Sequence, residues 1–172
     1  IEHTKEIFGN QDYESRFLGG QWADIYTAML NGEIDLVANV GWPNRFFENE
    51  PVIASKPYNS FNIRIFSKSD EQQDLNFYKG KRIGVQKGSY AEQEVREIGC
   101  EPIVFENDIQ GMVQLLWNNI DGVATEEKVG SYISGSLFLD AVKPVTQVFA
   151  KLDVVYLMRR DADQDLKSIL LG

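Results

Sequence analysis

One helix-to-strand passage occurs twice in this chain, as L-N-G-E-I-D-L-V-A (Leu30–Ala38) and as L-W-N-N-I-D-G-V-A (Leu116–Ala124). Set one beneath the other, Leu, Ile, Asp, Val and Ala coincide at one constant offset. Each copy follows a helical stripe. Trp22, Ile25, Tyr26, Met29 and Leu30 recur at i, i+3, i+4, i+7, i+8, and Ile109, Met112, Val113 and Leu116 repeat the spacing. Asn31-Gly32 and Asn118-Asn119 punctuate the helix ends, where a left-handed residue is wanted. Short, nearly continuous apolar runs follow, Ile34–Val40 and Ile120–Ala124, as expected of strands buried on both faces. A chain that repeats this unit is expected to form two α/β lobes on related βαβ plans.

The remaining segments fit that plan. Phe61–Ser67 alternates like a strand crossing from one lobe to the other, and Lys68–Asp74 has the composition of a surface loop. Lys81–Gln86 reads as a strand opening the second lobe, with a helix over Tyr90–Ile98. Val154–Met158 reads as a returning strand, and Asp163–Leu171 as a helix start. The expected division is 1–66 for the first part of lobe 1, 67–151 for lobe 2 and 152–172 for a return to lobe 1. Two crossings would make a hinge. The chain opens on a helix-like segment, Glu2–Phe8, then a strand near Tyr13–Leu18. A parallel α/β lobe ordinarily begins with a strand, so both ends read as truncated.

Composition removes several function classes. Seventeen basic residues against twenty-six acidic ones leave a formal charge of −9, the wrong sign for general affinity for nucleic acid or anionic membranes. Cys100 is the only cysteine and His3 the only histidine, so no internal disulfide forms, and neither histidine triads nor multi-histidine or multi-cysteine metal sites are supported. No cofactor is expected. No apolar run approaches the roughly 18–20 residues of a membrane span.

In open α/β sheets ligands bind beyond the carboxyl ends of the strands. Three such places are readable: Asn39-Val40-Gly41-Trp42, then Gln86-Lys87-Gly88-Ser89-Tyr90, then Thr125-Glu126. Gly88-Ser89 precedes a helix whose free N–H groups suit a carboxylate. Ser89-Tyr90-Ala91-Glu92 also matches an S-x-x-E capping box, in which the serine serves the helix itself. Arg45, just past the first strand, can clamp a carboxylate through two parallel hydrogen bonds, although a surface arginine is the plainer reading. Glu126 can receive an ammonium group or simply stand at a helix start. Trp42 and Tyr90 can stack on an apolar or cationic part of a ligand.

Together these landmarks resemble the family 3 extracellular solute-binding proteins, the polar amino acid type of periplasmic binding protein. They are W-A-D-I-Y-T-A-M-L-N-G-E-I-D-L-V, then Arg45, then A-S-K-P-Y (Ala54–Tyr58), G-K-R-I-G-V-Q-K-G-S (Gly80–Ser89) and N-I-D-G-V (Asn119–Val123). The resemblance covers nearly the whole chain. It implies a type II two-lobed fold joined by a two-strand hinge, closing on an amino acid or related carboxylate outside the cytoplasmic membrane. It also implies that Arg45 and Gly88-Ser89 hold the ligand carboxylate and that Glu126 takes the ammonium group. Asn39, Trp42, Tyr90 and Thr125 complete the expected ligand set, with no catalytic residue. The partner would be an ABC permease or a covalently linked membrane signalling domain. Two departures bear on the ligand: Glu126 stands where the family usually has aspartate, and the Asp35–Arg45 loop is about two residues short, with Val40-Gly41-Trp42-Pro43 replacing small hydroxyl residues. The competing expectation is an enzyme on the same fold, like cyclohexadienyl dehydratase or the accessory domain of a lytic transglycosylase, with Glu126 as its acid or base.

Overall fold

The computed structural model describes residues 2–9 and 13–172. In chain order the elements are α1 (Glu2–Phe8), α2 (Trp22–Leu30), β1 (Val37–Trp42), β2 (Val52–Ala54), β3 (Asn59–Ser67), β4 (Arg82–Gln86), α3 (Tyr90–Glu97), β5 (Glu101–Phe105), α4 (Asp108–Leu116), β6 (Gly122–Glu126), α5 (Glu127–Leu137), β7 (Lys143–Pro144), β8 (Ala150–Arg159) and α6 (Gln164–Leu171). Single 3-10 turns lie at Arg45–Phe47 and Leu75–Tyr78. The chain divides into two compact units, Ile1–Asn59 with Val154–Gly172, and Ser60–Asp153. It passes from one to the other inside β3 and returns inside β8.

In the first unit β2 runs antiparallel to β8, with Val52 opposite Arg159 and Ala54 opposite Leu157, and β1 neighbours β8. Alternation along β8 builds a core on each face of this sheet. Val155 and Leu157 join Tyr26, Met29, Val37, Val40 and Phe47, while Tyr156 and Met158 join Phe8, Leu166 and Leu170. A strand buried on both faces must be apolar throughout, which is why Val154–Met158 is legible as one run.

The second unit follows the same rule. β4 lies parallel to β5 on one side and to β6 on the other, and β3 runs antiparallel to β6 with Ile65 opposite Ala124. Ile63, Ile65, Ile83, Val85 and Ala124 face a cluster with Ala91 and Val95 of α3. Phe66 and Val123 face the opposite cluster with Met112 and Leu115 of α4. Cys100 is buried, its thiol donating to the Tyr78 carbonyl at 3.1 Å.

The repeated sequence unit is repeated in backbone geometry. Gly32 and Asn118 hold equivalent places and are both left-handed, with φ of 82° and 62°. At each, the next residue's N–H closes onto the last helical turn: Glu33 N to Ala28 O at 2.9 Å, and Asn119 N to Gln114 O at 2.9 Å. This is the Schellman closure, which satisfies carbonyls that the helix end leaves unpaired. It also corrects two expected boundaries. The strands begin at Val37 and Gly122, after the Ile-Asp pair in each copy, because the helix-ending turn occupies the residues just before that pair. The expected strand near Tyr13–Leu18 is absent. That stretch is exposed and irregular, and no strand among the described residues pairs with it.

Gly32 is also approached by the Arg159 guanidinium, which donates to Met29 O at 2.8 Å and lies 3.3 Å from where a Cβ would sit. Gly32→Ala is expected to cost about 1–2 kcal/mol, from the left-handed backbone of a non-glycine residue. Asn118→Gly should cost nothing beyond the contact between Lys68 and Asn118. Urea unfolding of both variants checks the pair.

Candidate functional site

The carboxyl edge of the second unit's sheet is set by register. Gln86 lies opposite Phe105, and the Gly84–Val123 pairing brings Gln86 level with Thr125. Three strand ends therefore stand abreast, each running into a helix start. The loops Lys87–Ser89, Glu106–Asp108 and Glu126 share this edge, and Lys87 N donates to Phe105 O at 2.8 Å just beyond the ladder. Lys87 and Glu106 form an exposed ion pair at 3.6 Å.

Two of the three helix starts are capped by their own side chains. Asn107 accepts from Gln110 N at 3.0 Å, and Glu126 accepts from Val129 N at 2.8 Å. Ser89 differs. It is the N-cap residue of α3 by position, yet its hydroxyl makes no cap bond, and Ser89 Oγ is shielded from solvent without a hydrogen-bond partner. The expected capping box is thus only half formed, and displaced by one residue: Glu92 Oε2 accepts from Gly88 N at 3.2 Å, and Glu92 Oε1 lies 3.6 Å from Arg96. A buried hydroxyl left unpaired costs about 1–3 kcal/mol. Gly88, with φ of 68°, shapes the turn that brings Ser89 to this place.

The other expected residues of this unit are now placed. Tyr90 is half-buried at the first position of α3 and packs against the cluster of Ile63, Ile83 and Val85. Thr125 is buried, and its hydroxyl is committed to Asp108 Oδ2 at 2.7 Å. Glu126 spends one carboxylate oxygen on the helix cap. Its neighbour Glu127 is held by Arg64 at 2.8 Å, with Arg64 Nε also donating to Thr146 O at 2.7 Å. Asp108 is the residue sequence reasoning missed. Burial pushes its carboxyl above the ordinary range, the Thr125 hydroxyl offsetting part of this, and it forms no ion pair among the described residues. Its position after the third parallel strand of the edge was the available signal.

In the first unit, Asn39, Trp42 and Arg45 lie on β1 and the turn after it. Asn39 is exposed and left-handed, with φ of 60°, inside the strand. The Tyr58 hydroxyl accepts from Asn39 N at 2.9 Å and donates to Asn39 Oδ1 at 3.0 Å, which holds that unusual backbone. Tyr58 in turn stacks on Tyr156 at 4.5 Å. Trp42 is half-buried and stacks on Phe47 at 5.7 Å, as part of the core. Arg45 is exposed and opens the 3-10 turn that Asn44 caps through Phe46 N at 3.0 Å. Among the described residues no cluster of three or more His, Cys, Asp or Glu side chains could hold a metal ion, and no helix is long and apolar enough to cross a membrane.

Two stability measurements follow. Ser89→Ala should leave stability unchanged or raised by up to about 1 kcal/mol, because the hydroxyl is buried and unpaired; a working cap would lose about 1 kcal/mol instead. For Asp108, a raised folded-state value means that the folded protein holds the proton more tightly than the unfolded chain. Its contribution favours folding below the ordinary carboxylate range, at about pH 4, and is lost as pH rises through that range to the raised value. Asp108→Asn keeps an acceptor for Thr125 and removes the charge. Its melting temperature should match the parent in acid and exceed it at neutral pH.

No protein-family model matches the sequence, and no curated protein matches it. Solved structures do. A histidine kinase sensor domain with similarity to periplasmic binding proteins superposes with a TM-score of 0.85 at 18% identity, over 98% of this chain and 75% of that one. The GluR0 ligand-binding core in complex with L-glutamate gives 0.84 at 13%, over 98% and 78%. An ancestral arginine-binding protein bound to glutamine gives 0.80 at 24%, over 98% and 76%. This chain has the two-lobed α/β fold of the periplasmic binding proteins.

Proposed function

We propose that this chain binds a small zwitterionic solute of the amino acid type, with contacts from both units and closure of one on the other. The observation that carries the reading is Ser89. Its unpaired hydroxyl stands at the start of α3, where the positive end of the helix dipole favours a carboxylate. A ligand carboxylate supplies the acceptor that Ser89 lacks, and Arg45 of the first unit supplies a cation for it. Glu126, whose second oxygen makes no hydrogen bond among the described residues, takes the ammonium group. Asn39, Trp42 and Tyr90 shape the walls, and Thr125 works through its bond to Asp108.

The solved neighbours support the head-group chemistry, since L-glutamate, arginine and glutamine share a carboxylate and an ammonium on one carbon. Contacts from both units stabilise a closed state over an open one, so the solute shifts that equilibrium by its difference in affinity for the two. The binding event serves sensing or transport outside the cytoplasmic membrane, read by a linked signalling domain or an ABC permease. The sensor-domain neighbour favours the first.

A thermal-shift screen of the twenty amino acids tests the reading, because a ligand that binds only the folded state raises its melting temperature. A hit at 100 times its dissociation constant adds about 2.7 kcal/mol. Arg45→Ala should then weaken that hit by about 2–5 kcal/mol. A change within twofold removes Arg45 from the site, and a screen without hits removes the reading.

A further inference from the structure

The second unit's edge holds one more charge than an amino acid head group can use. On the reading above, the ligand carboxylate is met by Arg45 and Ser89, and the ammonium by Glu126. Asp108 remains. Its carboxylate stands at the first position of α4 on the same edge, and among the described residues its only hydrogen bond is the 2.7 Å one from Thr125. Thr125 is itself buried, and its hydroxyl has no other hydrogen-bond partner among the described residues. No lysine or arginine lies within ion-pair distance of Asp108 among the described residues: Arg64 is taken by Glu127, Arg82 by Asp121, Lys87 by Glu106 and Arg96 by Glu92.

Helix capping does not account for the acid. Asn107 already caps α4, and an acid in the first turn needs neither burial nor a hydroxyl tether to gain from the dipole. A half-buried acid without a cation is costly and is kept where something else compensates it. The unpaired Ser89 hydroxyl on the same edge independently marks this face as one that a ligand completes.

We propose that Asp108, oriented by Thr125, is a specificity-determining residue that receives a second, distal cationic group of the solute. The ligand is then a basic amino acid, or a similar solute bearing one carboxylate and two cationic groups. This inference rests on the head-group reading of the preceding subsection.

Isothermal titration with L-arginine and L-citrulline tests it, because citrulline has nearly the same shape with a neutral end group. The L-lysine and L-norleucine pair serves as the second comparison. Wild type should bind the charged member of each pair at least about thirtyfold more tightly, equivalent to about 2 kcal/mol. Asp108→Asn should bring each pair within about threefold by weakening the charged member alone, and Asp108→Glu should restore part of the preference. Equal wild-type affinities within a pair overturn the proposal. So does an Asp108→Asn variant that weakens both members equally, which would make Asp108 a structural support. If glutamine or glutamate binds and the basic amino acids do not, the proposal fails while the head-group reading stands. If no amino acid of any charge binds, both fail.

Discussion

The parallel ladder that holds β4 between β5 and β6 is the constraint on which the second unit depends. Parallel strands cannot be joined by tight hairpins, so each connection must travel the length of the sheet in a helix and return. Three consecutive helices are thereby made to begin at one edge. With Gln86, Phe105 and Thr125 abreast, Ser89, Asp108 and Glu126 follow from the same geometry. A slip of one residue in either pairing would turn Val85 or Ala124 away from the α3 face and dismantle both the core and the edge.

Much of this was legible because burial on two faces writes itself plainly. Ile34–Val40 and Val154–Met158 could be read as strands, and the stripe from Trp22 to Leu30 could be read as a helix. The repeat was legible to the level of a dihedral angle, since only a residue tolerant of left-handed backbone serves at Gly32 and Asn118. What stayed hidden was register. Whether Ile-Asp opens the strand or closes the helix depends on which N–H reaches the last turn, and composition does not carry that information. A strand was expected near Tyr13–Leu18, but a strand exists only through a neighbour that pairs with it.

The candidate site was legible by position and much less by role. Gly88, Ser89, Thr125 and Glu126 could be placed at strand ends from the sequence. Their hydrogen bonds could not, because Ser, Thr and Glu at a helix start can serve the helix, one another or a ligand. S-x-x-E predicts a Ser89 cap, whereas Glu92 turns to Gly88 and leaves the serine unpaired. Asp108 escaped notice because N-D-I after a strand is ordinary helix-start composition. Only the approach of Thr125 and the loss of water distinguish it.

Ser89 Oγ is buried without a hydrogen-bond partner and Asp108 is half-buried without a cation, and both stand on one edge of one sheet. Elsewhere in the unit comparable groups are satisfied: Ser134 Oγ donates to Val142 O, Thr146 Oγ1 accepts from Ile65 N, and Arg64 is held on three sides. A sequence able to satisfy those groups could satisfy two more. Local inconsistency concentrated at one place, within an otherwise consistent structure, is the expected mark of a functional surface. The two groups are also opposite in demand, since the serine wants an acceptor and the aspartate a cation. One solute carrying both a carboxylate and a distal cation would answer them together, whereas two unrelated defects would have no reason to be complementary.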